Sequence, residues 1–374
     1  MKQLPQIEAV DVFQVRVARR SDNRITTSYA TLPDAHHAIV QVHAGGLVGL
    51  GEAPAELWWT GEDAASVTNA IRSYLAPAIV GRSLGIRQAV GHMDAALAGN
   101  PYAKAAIEMA LWDLLGKLTD LPLHVLLGGG PPLPIPIKYV IGMATPAEAV
   151  DAAERAIELG FTWLKIKVGG DLRGDLSRVK AVRESVDDSI AIGVDSNGGW
   201  SHPVAIQALA GLTDMSVAFL EQPVSAEFPD AMADITARSS IPVVAHESLF
   251  TRRDAMQAAS KRLAHIWAIT PSTHGGLIAT FDILGVARSA GVPCLLGSTV
   301  ELGIATAFMA QIGASFDSIA NSPVPSDVIG PLYHEADITS PPIRISGGFA
   351  EVGDGPGLGV ELDDDNVKRF KVRS

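Results

Sequence analysis

A closed parallel barrel of alternating strands and helices, preceded by a smaller α+β domain, is the fold class that this 374-residue sequence predicts. Three observations predict it. From residue 137 onward, strand-like and helix-like stretches alternate in seven consecutive units, which favours a closed α/β barrel over an open sheet. Glycines at 128 to 130 and prolines at 131, 132, 134 and 136 mark a domain boundary just before the first unit. The third observation is the stretch Trp163-Leu164-Lys165-Ile166-Lys167-Val168, in which two lysines alternate with apolar residues. Strand periodicity puts both ammonium groups on one face. A lysine inside a barrel must be paired or have its pKa lowered, and a lysine of lowered pKa is a general base near neutral pH.

The length exceeds one comfortable core, so the expected division is a capping domain over residues 1–130, a barrel over 131–340, and a segment 341–374 returning to the first domain. A net charge of -12 without a basic stripe argues against nucleic acid as a partner. No apolar run reaches the length of a membrane span, and no apolar leader follows Met1, so no membrane association and a cytoplasmic location are expected. Cys294 is the single cysteine and sits in an apolar run, which points to packing.

In the first domain, residues 7–18 and 37–52 read as antiparallel strands turning at 44–46. Between them a polar loop carries Arg19, Arg20 and Arg24, candidates for binding a distal carboxylate. A second loop carries Trp58 and Trp59, as a packed corner or a lid over substrate. Residues 103–117 have helical periodicity, with Gly116 where the helix should end. The barrel strands are expected at 137–142, 163–169, 190–195, 217–221, 243–247, 266–270 and 293–298, with helices such as 146–159, 176–186 and 277–290 between them.

Chemistry in such a barrel gathers at the C-terminal ends of the strands. Those ends carry Lys165 and Lys167, then Asp195 with Asn197, Glu221, His246 with Glu247, Thr270, and Glu301 just past the seventh strand. Asp195, Glu221 and Glu247 recur at intervals of 26 residues, one strand-to-strand unit each. Acids at successive strand ends suit a hard divalent cation that takes oxygen ligands.

These stretches resemble the enolase superfamily, and within it the muconate lactonizing (muconate cycloisomerase) and mandelate racemase-like family. The resemblance rests on the 103–117 helix, Lys165-x-Lys167, Val194-Asp195-Ser196-Asn197, Leu220-Glu221-Gln222-Pro223, His274-Gly275-Gly276 and Gly297-Ser298-Thr299-Val300-Glu301-Leu302-Gly303. It implies a modified TIM barrel, (β/α)7β, under an α+β capping domain. It also implies Mg2+ at the strand ends and proton abstraction next to a carboxylate to give an enolate. By resemblance Asp195 and Glu221 are metal ligands, Lys167 transfers the proton, Lys165 is its cationic neighbour and Glu301 is a polar site residue. Asn197, Thr270, Ser298 and Trp58 would face the small carboxylate substrate. A homo-oligomer, an octamer or a dimer, is also implied.

Two positions depart from the pattern. Where an Asp ligand is expected at the end of strand five, the chain has His246-Glu247-Ser248. Strand alternation lets one of the two side chains point inward. Glu247 is the oxygen ligand suited to Mg2+, whereas ligation by His246 would bring Mn2+ or another divalent ion into play. Where the family would place a lysine opposite Lys167, the chain has Thr270, which cannot act as a base. Racemisation requires two opposed groups, so the expected chemistry is one-base: syn dehydration or cycloisomerisation. An epimerase using His246 as second base and a non-catalytic carboxylate-binding relative are the alternatives.

Overall fold

The computed structural model describes residues 4–23, 25–31 and 33–373, so Arg24 lies outside the described residues. Strands β1 (Ile7–Ala18), β2 (Asp34–Ala44) and β3 (Leu47–Ala53) form an antiparallel sheet. Its inner face, including Ala38, Val40 and Val42, packs on the helix Pro101–Thr119 through Ala103, Ala106 and Ala110. That helix is apolar around most of its circumference because it is buried on both sides. Glu108, on its second side, accepts hydrogen bonds from Ile278 N (2.9 Å) and Trp112 Nε1 (2.9 Å), tying the helix to the barrel.

Seven parallel strands follow: β4 (Tyr139–Ile141), β5 (Trp163–Lys167), β6 (Ala191–Asp195), β7 (Phe219–Glu221), β8 (Val243–Ala245), β9 (Ile266–Ile269) and β10 (Cys294–Leu296). They are neighbours in sequence order. Helices cover them outside and side chains fill them inside, which is why the strands are nearly continuous apolar runs. Cys294 is buried among them. Residues 326–327 bond to both free edges: Ser326 N to Pro136 O (2.9 Å), Lys138 N to Ser326 O (3.1 Å), and Asp327 N to Leu296 O (2.7 Å). This short segment closes the ring as its eighth strand.

Most of the expected strands are shorter by a residue or more at their ends, and two differences have physical causes. The helix expected at 176–186 starts earlier, at Leu172, because Asp171 caps it by accepting from Gly174 N (3.0 Å). The Pro101–Thr119 helix runs through Gly116 and ends at Asp120, in left-handed conformation at φ 57°. Gly116 serves close approach instead of termination: a Cβ there would lie 2.3 Å from Gly357 Cα. The C-terminal stretch touches both domains. Phe349–Ala350 pairs with Ile135–Pro136, whereas Leu358 N donates to Asp113 Oδ1 (2.8 Å) and Val372 N to Gln14 O (2.9 Å). No helix among the described residues is long and apolar enough to cross a membrane.

His37, His274 and His334 are buried, and burial pushes each pKa down from 6.5 to about 3. At these three sites the unfolded chain binds more protons between those values. In the folded chain the three rings should still be neutral at about pH 5, read from the 15N NMR shifts of their ring nitrogens, and protonation near the ordinary histidine value would contradict burial of the neutral rings.

Candidate active site

Strand register assembles the charged groups. Lys167 on β5 is the neighbour of Asp195 on β6, which is the neighbour of Glu221 on β7. Lys167 Nζ donates to Asp195 Oδ2 (2.6 Å) and to Asn197 Oδ1 (2.8 Å). Lys165 Nζ donates to Asp327 Oδ2 (2.7 Å) and approaches Glu221 Oε2 at 3.3 Å and Asp195 Oδ2 at 3.6 Å. Asp327 also pairs with Lys138 Nζ at 3.1 Å. Asn197, in left-handed conformation at φ 44°, turns its amide between two partners, accepting from Lys167 and donating to Glu247 Oε1 (2.8 Å).

All of these groups are buried. Burial opposes the charge on Lys165, but Asp327, Glu221 and Asp195 together outweigh it and raise its pKa. Burial likewise opposes ionisation of Asp195 and Asp327; lysines beside each prevail and hold both below the usual carboxylate range. Burial lowers the pKa of Lys138 and raises that of Glu247. For His246 burial is opposed by Glu221 and Glu247, and the net direction is upward. Four carboxylates, Asp195, Glu221, Glu247 and Asp327, thus share a buried network with three lysines, and the ring of His246 lies beside Glu221.

The expectation that only one of His246 and Glu247 points inward does not hold. Strand β8 ends at Ala245, the backbone leaves extended geometry at His246 (φ -127°, ψ -75°), and a 3-10 turn begins at Glu247. Alternation no longer applies, and both side chains reach the network. His246 Nε2 lies 2.9 Å from Thr270 Oγ1; Nδ1 lies 3.2 Å from Glu221 Oε1, off the hydrogen-bonding direction. Gly297 leaves room for this pair, since a Cβ there would lie 2.6 Å from His246 Nε2 and 2.7 Å from Thr270 Oγ1. Trp59 packs edge-on against His246, with ring centroids 5.0 Å apart. Thr270 N donates to His274 Nε2 (3.0 Å), and His274 Nδ1 meets Phe250 O at 3.2 Å, which gives His274 a structural role.

Glu247 Oε2 is buried without a hydrogen-bond partner. Asp195, Glu221 and Glu247 carry oxygen donors of the kind a hard divalent ion takes, and this oxygen of Glu247 receives no hydrogen bond. Among the described residues, no group of three or more His, Cys, Asp or Glu side chains is drawn together as a metal site. Lys165, Lys167 and Asn197 hold these carboxylates instead.

A cavity of about 670 Å3, counting its open mouth, lies above the network between the two domains. Lys165, Lys167, Asn197, Ser298 and Asp327 line it from the barrel; Arg19, Tyr29, Glu56, Trp58 and Trp59 line it from the capping domain. Of the paired tryptophans, half-exposed Trp58 faces the cavity while Trp59 also forms a packed corner on His246 and Phe250. Asp195, Glu221, His246, Glu247 and Thr270 are not among the described lining residues. Glu301, expected among the catalytic groups, turns into its own loop: it accepts from Ser298 Oγ (2.5 Å), Thr299 N (2.9 Å) and Thr299 Oγ1 (3.0 Å). Those bonds hold Val300 at φ 60°, a strained value for a β-branched residue, and present Ser298, Thr299 and Val300 to the cavity.

Sequence reasoning missed Lys138, Asp327, Tyr29 and Glu56. Asp327 had a signal, because it follows Glu301 by the same 26-residue interval that separates the other acids. Replacing Asp327 by Ala leaves Lys138 and Lys165 without their shared anion and should destabilise the chain by about 3–5 kcal/mol in urea. A loss below about 1 kcal/mol would show that the pair is not what holds these lysines. Gly297→Ala should cost about 1–3 kcal/mol through its clash with His246 and Thr270, and an unchanged urea midpoint would contradict that packing.

Comparison with known proteins agrees with this architecture. The family described as mandelate racemase / muconate lactonizing enzyme, N-terminal domain, matches residues 9–128, and the enolase C-terminal domain-like family matches residues 148–366. The chain is 32% identical to a chloromuconate cycloisomerase of Cupriavidus pinatubonensis, covering 91% of this chain and 93% of the relative. It is 31% identical to an N-succinyl-L-Arg/Lys racemase of Bacillus cereus, covering 98% of each. Among solved structures, a dipeptide epimerase from Cytophaga hutchinsonii, complexed with Mg and the dipeptide D-Ala-L-Val, superposes with a TM-score of 0.92 at 28% identity, covering 98% of this chain and 99% of that one.

Proposed function

The chain belongs to the mandelate racemase and muconate lactonizing enzyme family of the enolase superfamily, and from that premise we propose a one-base isomerase or lyase acting on a small carboxylate. Lys167 is the proton-transferring group. The observation that carries this reading is the composition of the cavity wall. Lys165 and Lys167 reach it from one strand, while no histidine and no other lysine is among its described lining residues. His246 lies against Trp59, with one ring nitrogen on Thr270 and the other toward Glu221, so it supports Glu221 instead of opposing Lys167.

Asp195, Glu221 and Glu247 would hold Mg2+, with Mn2+ as a chemically similar substitute. When bound, such an ion stabilises the negative charge that develops on the substrate carboxylate as its α-proton leaves. The chain's own residues do the rest. Lys167 Nζ, positioned by Asp195 and Asn197, takes the proton from the α-carbon. Lys165 adds fixed positive charge beside it, which the raised pKa keeps in place. Trp58 and Tyr29 line the cavity from the capping domain. In syn dehydration the α C–H bond breaks, the electron pair forms a C=C bond, and the β-hydroxyl departs as water on receiving a proton from the same face. In cycloisomerisation of an unsaturated diacid, a carboxylate oxygen adds to the double bond and Lys167 delivers the proton to the α-carbon.

Lys167→Ala should lower α-proton exchange by roughly a thousandfold, the scale of a lost general base; retention of exchange would remove Lys167 from the reaction. In Mg2+ titrations Glu247→Gln should lose metal while His246→Ala retains it. The reverse pattern would assign the ligand role to His246 and require a different cation.

A further inference from the structure

Arg19 and Glu56 occupy the capping-domain wall of the cavity, apart from the lysine and carboxylate network. Arg19 is 6% exposed, and its backbone is fixed by a hydrogen bond from its N to Pro33 O (2.9 Å). Its Nη2 lies 3.7 Å from Glu56 Oε1, an ion-pair separation too long for a hydrogen bond. Its Nε is buried and has no hydrogen-bond partner. Glu56 is fixed in turn, since its carbonyl accepts from Trp59 N (3.0 Å) at the start of the helical turn Leu57–Thr60. Burial pushes its carboxyl up to about 7, opposed by Arg19 and assisted by Glu301.

Arg19 is buried and Glu56 is half-buried; because the pair stops short of a hydrogen bond, a donor on Arg19 is left unmet beside a carboxylate that also lines the cavity. An amide satisfies both, because its C=O accepts from Arg19 while its N–H donates to Glu56. A second carboxylate gains Arg19 but meets the like charge of Glu56, with that of Glu301 behind it. The flat faces of Trp58 and Tyr29 on the same wall suit the planar, uncharged amide. We infer that Arg19 and Glu56 form the recognition subsite for the far end of the substrate, and that this end is an amide group, not a second carboxylate. The inference rests on the proposal that the Lys165 and Lys167 end takes a carboxylate.

The test is calorimetric binding of α,ω-dicarboxylates and their monoamides, over a series of chain lengths, at pH 8 with Mg2+ present. The natural chain should bind the best monoamide about tenfold more tightly than the matching diacid. Glu56→Gln, which leaves Arg19 without its anion, should invert that order. Diacids binding as well as monoamides, no binding of either, or an unchanged order in folded Glu56→Gln would each overturn the inference. Should Glu56→Gln fail to fold, Arg19→Gln serves: monoamide affinity should fall with no gain for the diacid, and a gain for the diacid overturns the assignment. Lys167→Ala separates the two readings. Retained α-proton exchange in that variant would sink the base assignment, while the binding order would still decide the subsite.

Discussion

Compensation of buried charge at the mouth of the barrel is the constraint on which the rest of the structure depends. A lone ammonium or carboxylate taken out of water costs several kcal/mol or more, and its partner must be close and well aligned to offset that. Here the partners are supplied by register. Neighbouring parallel strands bring Lys167 to Asp195 and Asp195 to Glu221, and the closing segment brings Asp327 between Lys138 and Lys165. If the strand carrying Lys165 and Lys167 slipped by one residue, both ammonium groups would enter the layer between strands and helices, where they would have no anions.

That constraint links the two positions at which the chain departs from its family's pattern. A histidine stands where an acid is expected and a threonine where a lysine is expected. In the fold the two are hydrogen-bond neighbours, His246 Nε2 to Thr270 Oγ1 at 2.9 Å, with Gly297 leaving the space between strands that they fill. The ring of His246 lies beside Glu221 and, against burial, the neighbouring carboxylates shift its pKa upward. The chemical consequence is different from the electrostatic one. A lysine at position 270 would offer a base to the substrate, whereas His246 lies against Trp59 with its Nε2 on Thr270, and it is not among the described residues lining the cavity.

Much of this was legible in the sequence because it follows from local periodicity. The Lys165-x-Lys167 alternation, the helix Leu277–Ala290 and the regular spacing of Asp195, Glu221 and Glu247 each have a period that a strand, a helix or a strand-to-strand unit imposes. What could not be read were features set by contacts distant in sequence. Asp327 lies on a closing strand too short to show a pattern, and its partner Lys138 is 189 residues away. Gly116 reads as a helix stop because glycine often is one, yet it exists to admit Gly357. The joint presence of His246 and Glu247 depended on where β8 ends, and element boundaries are the least determined part of a sequence reading.

The stereochemistry of proton exchange tests the central claim most directly. The chain would be incubated in D2O with Mg2+ and a panel of enantiopure hydroxy acids, lactones and N-acyl amino acids, and each recovered α-carbon examined for deuterium and configuration. Proton transfer confined to the Lys167 face predicts deuterium entering with the original configuration retained in recovered substrate and a single face labelled in product. Deuterium accompanied by inverted configuration would require a second base opposite Lys167, and the one-base account would be wrong.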